Sequence, residues 1–253
     1  MKKIQCEACG SNDLVFQDNF LVCRSCGTKY LITGIETLQK AKNYRILARR
    51  AFEEKDYENA KKYYEGLLTD NPDDWEAYCF SKLSNVNLSN ENNMLDNLVA
   101  FNNSVKTIVE LIYKSSDDPA ELRKTVEDVN KHIMATSKYL YDKSDDYEYD
   151  YDFSLLDYDE IDDEKADKWE KSLDKVNDIK FQTCMMVAQW NNNIRDQRED
   201  IRLGLDKSFF IENYKQLVEQ LTFIGSYEKV NLKKTINDLV DYIHTEEPEW
   251  KLY

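Results

Sequence analysis

Apolar residues along the chain follow two different periods, and the change falls at Gly34. Before it, short runs alternate around turn residues. Asp13–Gln17 (DLVFQ) and Phe20–Val22 (FLV) flank Asp18-Asn19, which reads as a two-residue hairpin turn, and Lys29–Ile32 (KYLI) is a candidate third strand. After it, the spacing becomes three and four. Ile35, Leu38, Ala41, Tyr44, Leu47, Ala48 and Ala51 form one stripe; Tyr57, Ala60, Tyr64, Leu67 and Leu68 form the next, which Pro72 ends. A further repeat of this kind opens at Trp75-Glu76-Ala77-Tyr78, and its pattern dissolves in SNVNLSNENN.

The helical period then continues almost unbroken. Leu98, Val105, Val109 and Ile112 make one stripe. Leu122, Val126, Val129, Ile133 and Leu140 make another, opened by Asp118-Pro119 as N-cap and first turn. Trp169, Val176, Thr183, Val187, Trp190, Ile194 and Ile201 recur at nearly seven-residue spacing up to Gly204, a pattern that suits either an internal core or a coiled-coil dimer. Phe210, Tyr214, Leu217 and Leu221, then Leu232, Ile236, Leu239 and Ile243, give two closing helices around Gly225. The fold class expected is mainly α: a helical-repeat or helical-bundle domain behind a small N-terminal β module. The expected divisions are 1–34, 35–90, 91–143, an acidic linker at 144–163, and C-terminal helices at 164–253 that pack on the preceding ones.

The β module carries the clearest chemistry. Cys6-x-x-Cys9 and Cys23-x-x-Cys26 are thirteen residues apart, and Gly10 and Gly27 follow the two pairs directly. Thiolates in such turns are held by backbone N–H groups, and a glycine at positive φ closes the turn without steric cost. Cys6, Cys9, Cys23 and Cys26 are therefore expected to bind one structural Zn²⁺. Four thiolates fill a tetrahedral site, which leaves no position for water or substrate. The pattern resembles a zinc ribbon of the transcription-factor-IIB type over residues 4–32. That resemblance implies docking on RNA polymerase or nucleic acid.

Charge argues against the nucleic-acid half of that implication. The 253 residues carry a net −15, with 33% charged residues and a mean hydropathy of −0.72. Asp142–Glu164 holds twelve acids and one lysine, so that segment supplies most of the excess. The first 34 residues have four basic and three acidic side chains, too few and too scattered to displace counterions from phosphates. Direct nucleic-acid binding is thus not expected on charge. The acidic segment reads as a solvated linker, or as a docking strip for a basic surface; as a calcium loop it fails, since Tyr151 stands where a glycine is needed.

The first two helices resemble a tetratricopeptide repeat. Tyr44, Leu47 and Ala48 match the large, large and small positions of its first helix, and Tyr57, Ala60, Tyr64 and Pro72 match the second helix and its closing proline. Ala51 and Leu67 depart from the pattern. One repeat cannot bury its own faces, so the later helices must cover it. The resemblance implies a groove for a protein or peptide. Lys42, Arg45 and Arg49 share one helical face and are candidate partner-binding residues, as a clamp for carboxylates. The combination resembles ribbon-plus-repeat proteins of low-GC bacteria and their phages.

Other chemistry is sparse. The chain has no glycine-rich phosphate loop, no G-x-S-x-G and no H-E-x-x-H. Its two histidines, His132 and His244, sit on separate amphipathic helices, and Cys79 and Cys184 read as buried small hydrophobes. No run suits a membrane span, and MKKIQCEACG has no apolar signal region, so a cytoplasmic location is expected. The expected function is a non-enzymatic, zinc-containing adaptor. The alternatives are a transcription-associated factor using the ribbon on RNA polymerase, or an acidic inhibitor mimicking nucleic acid.

Overall fold

A computed structural model describes residues 5–17, 20–31, 35–147, 163–196, 203–205, 207–224 and 232–252. Three short strands, β1 (Leu14–Gln17), β2 (Phe20–Cys23) and β3 (Lys29–Leu31), form an antiparallel sheet in the order β1-β2-β3. Gln17 pairs with Phe20, which leaves two residues for the connection; these, Asp18 and Asn19, lie outside the described residues.

Eight α-helices follow among the described residues: α1 (Ile35–Glu53), α2 (Tyr57–Asp70), α3 (Trp75–Asn87), α4 (Met94–Ser115), α5 (Pro119–Ser144), α6 (Asp163–Asp196), α7 (Lys207–Thr222) and α8 (Leu232–His244). Their ends are set by local chemistry. The Asp56 carboxylate accepts from the Asn59 N–H and starts α2; Asp74 accepts from Ala77 and starts α3; Asp118 accepts from Ala120, with Pro119 in the first turn of α5. Between α1 and α2 the chain turns through Lys55 at φ 61°, while the Asp56 N–H reaches back to the Ala51 carbonyl and the Lys55 N–H to Phe52. This is a Schellman closure with a lysine where glycine is usual.

Helices α1 to α4 pack in sequence, each on the next. Gly66 of α2 lies against the ring of Tyr44; a Cβ there would sit 2.7 Å from the ring's Cε2. Helix α3 runs on into the polar stretch where the repeat pattern dissolves. It continues to Asn87 because its polar side chains bond to the preceding turn: Ser84 Oγ to the Phe80 carbonyl at 2.7 Å, and Asn87 Nδ2 to the Leu83 carbonyl at 2.8 Å. Leu47, expected on the packed stripe of α1, is 41% exposed, because α2 and α3 cover only the side of α1 that bears Ala48, Ala51 and Phe52.

Helix α6 packs against both α4 and α5 more extensively than those two pack on each other. Val176, Thr183, Val187, Trp190 and Ile194 are all buried there, so the near-heptad stripe faces this chain's own helices rather than a second copy; Ile201 lies outside the described residues. Helix α7 runs antiparallel to α6. Its Asn213 donates to Asn191 Oδ1 at 2.6 Å and to Asn130 Oδ1 at 2.8 Å, while Gln220 meets Ser137, whose hydroxyl reaches the Thr183 carbonyl. One contiguous buried cluster runs from Ala48 to Ile243. Cys79 and Cys184 are buried in it. No described helix is long and apolar enough to cross a membrane.

Candidate metal centre and helical groove

The two cysteine pairs form matching knuckles. In the first, the Gly10 N–H donates to the Cys6 carbonyl and the Cys6 N–H to the Ser11 carbonyl; in the second, Gly27 donates to Cys23 and Cys23 to Thr28. Gly10 and Gly27 have φ of 73° and 75°, the left-handed region the sequence spacing calls for. The Ser11 and Ser25 hydroxyls, 2.8 Å apart, tie the two knuckles together.

This geometry brings all four Sγ atoms within 4.8 Å of one another. Cys6 to Cys26 and Cys9 to Cys23 are both 3.6 Å. A tetrahedron with Zn–S bonds of about 2.3 Å has edges of about 3.8 Å, so the donor set fits one Zn²⁺. Cys6 and Cys23 are buried; Cys9 and Cys26 face outward. The Thr28 hydroxyl, 3.1 Å from Cys26 Sγ, and the Thr28 backbone lower the pKa of that thiol, which favours the thiolate a metal needs.

The three basic candidates on α1 are not alike. Arg45 and Arg49 already hold carboxylates of this chain. Arg45 forks between Asp74 and Glu76, with NH1 2.8 Å from Glu76 Oε2, while Arg49 places Nε and NH2 at 2.6 Å from the two Glu76 oxygens. The Asp74 and Glu76 side chains are only 7% and 5% exposed. Burial works against the Arg45 charge, but the bond to Asp74 and the fields of Glu76 and Asp74 outweigh it, holding the guanidinium well above its ordinary value. These arginines therefore lock α1 to the start of α3. Lys42 is exposed and stands outside this cluster. The pairing was not visible in sequence, since 27 to 31 residues separate the partners.

A second feature, missed in the sequence, lies at the C-terminal end of α1, within a turn of Arg49. A groove of about 620 Å³ opens between Phe52 and Glu53 of α1, Tyr57, Asn87 of α3, and His132, Thr136 and Tyr139 of α5. Tyr139 is 49% exposed. His132 stands edge-on to Phe52 and Phe80, with centroids 5.4 and 5.1 Å away. Burial lowers its pKa below the ordinary 6.5, against the opposing pull of Asp128 and Glu53. His244 is exposed, with Nε2 2.9 Å from the Trp250 carbonyl.

Of the acidic segment, Asp145–Tyr147 forms a short 3₁₀ turn, and Asp145 pairs with the buried Lys180 of α6. The strip from 148 to 162 lies outside the described residues, as do Gly225 and its neighbours through 231.

Neither family models, nor curated proteins, nor solved structures match this chain.

Proposed function

We propose that the chain is a non-enzymatic adaptor: one structural Zn²⁺ folds the N-terminal ribbon, and the groove between α1, α3 and α5 holds a segment of a protein partner. The observation that carries the first half is the convergence of four thiols within 4.8 Å, on two knuckles of the same design. Cys6, Cys9, Cys23 and Cys26 would hold the ion, which when bound supplies a cross-link to a sheet with too little core to stand alone.

The second half is supported by the groove's make-up. Aromatic side chains with polar neighbours, partly exposed, suit a peptide that buries one or two apolar residues and hydrogen-bonds along the rim. Arg45 and Arg49, spent on Asp74 and Glu76, favour this groove over the basic face of α1.

Replacing Tyr139 with a photo-crosslinking aromatic residue tests the reading in the source cell. A specific adduct that disappears on Ala135→Trp, which fills the groove, supports it. An adduct that survives Ala135→Trp but disappears on Cys23→Ser moves the contact to the ribbon and favours the transcription-associated reading. Absence of any adduct at position 139 counts against the groove.

A further inference from the structure

Helix α8 packs chiefly on α7 and stands off α6. The gap is a cavity of about 410 Å³, walled by α6 and α8 and floored by α7. That is within the range of small-ligand pockets, roughly 300–1,000 Å³. Its lining is graded. Phe181 and Met185 of α6, Leu221 of α7 and Leu232 of α8 make one end; Asn192 and Arg195 of α6, with Tyr214 and Tyr242, make the other. The order follows from helix directions: Asn191 meets Asn213 while Thr183 lies beside Gln220 through Ser137, and the Tyr214 and Tyr242 rings are 5.1 Å apart.

The α6 wall positions, Phe181 through Arg195, recur at three and four and span about 21 Å of helix axis. At the polar end the guanidinium of Arg195 is held in place. It donates to the Tyr214 hydroxyl at 2.9 Å and lies against the rings of Phe210 and Tyr242, 5.8 and 5.3 Å from their centroids. A cation fixed this way suits the planar recognition of a carboxylate.

We propose that this cavity binds a single-chain fatty acid, with its hydrocarbon tail along Phe181, Met185 and Leu221 and its carboxylate at Arg195. A straight aliphatic chain suits the elongated α6 wall and the polarity gradient of the lining. Asp238 of α8 lines the same cavity with the opposing charge, and its side chain is exposed. Removing that charge should tighten binding. This site is independent of the peptide groove and of the zinc.

The test uses the full zinc-loaded chain and calorimetric titration with laurate below its micelle concentration, with dodecanol as the uncharged probe. Saturable laurate binding is expected. It should be lost in Ala188→Trp, which fills the cavity, with unchanged circular dichroism; Met185→Trp serves if the first variant misfolds. Arg195→Gln should weaken laurate by about tenfold or more and dodecanol far less, because only the charge-assisted bonds are removed. Asp238→Asn should strengthen laurate alone. Absence of saturable laurate binding by the unaltered chain, or binding that persists in the filled-cavity variant, overturns the proposal. Equal losses of both probes in Arg195→Gln overturn the assignment of the carboxylate to Arg195.

Discussion

Replacing Arg45 with alanine removes the side chain that joins α1 to two buried acids at the head of α3. Asp74 would keep the Ala77 N–H and Glu76 would keep Arg49, which bonds to Glu76 alone. Both carboxylates are at most 7% exposed, so water compensates poorly. Stripping one partner from a buried pair costs about 3–5 kcal/mol. The Arg45 side chain is 31% exposed and partly screened, which brings the expected loss to about 2–3 kcal/mol. Arg49 is 59% exposed, and its removal leaves Glu76 with Arg45, so Arg49→Ala should cost about 1 kcal/mol or less. Arg45→Lys should fall between, because a single ammonium cannot fork between two acids. Urea unfolding followed by circular dichroism, compared at a common slope, reads all three. The ranking is the sharper test: were these arginines kept for an external ligand, both would be nearly silent in stability. A loss below about 0.5 kcal/mol for Arg45→Ala, or a larger loss for Arg49→Ala, would refute the reasoning.

Three further outcomes follow from single features. Gly66→Ala should destabilise by up to about 2 kcal/mol, since the clash with Tyr44 exceeds the helix-propensity gain; in a Tyr44→Ala background the same change should stabilise, and denaturation of the four variants shows whether the sign reverses. His132, with its pKa lowered by burial, favours the folded state fully above the ordinary value of 6.5; that contribution falls as the pH drops below it and levels off under the folded pKa. The difference between wild-type and His132→Gln stability across that window should show this slope, and parallel profiles would contradict it. Duplex DNA should not bind appreciably at physiological salt, because the ribbon brings so few cations; submicromolar anisotropy titrations with a steep salt slope would overturn this and favour the transcription-associated reading.

How much the sequence revealed depended on whether an interaction was local. The knuckles were legible because a cysteine pair and its glycine lie within five residues and the turn geometry demands both. The caps at Asp118 and Pro119 and the buried stripe from Val176 to Ile194 were legible for the same reason. The extent of α3 was less legible, because Ser84 and Asn87 look like loop formers, yet each hydrogen-bonds within its own helix. The roles of Arg45 and Arg49 were not legible, because their helical face is local but the acids that meet it come from α3. Nor were the groove at Tyr139 and the cavity at Arg195, since each is assembled from helices distant in sequence.

Central to the proposed function is a metal-dependent ribbon joined to helices that fold without the metal. Chain purified without chelator should contain one zinc by elemental analysis, and Cys23→Ser should lose it. On chelation, hydrogen exchange should accelerate across residues 5–31 while the amides of α4, α5 and α6 keep their protection. Zinc-free protein whose ribbon amides are already protected, or exchange across 5–31 that chelation leaves unchanged, would contradict it.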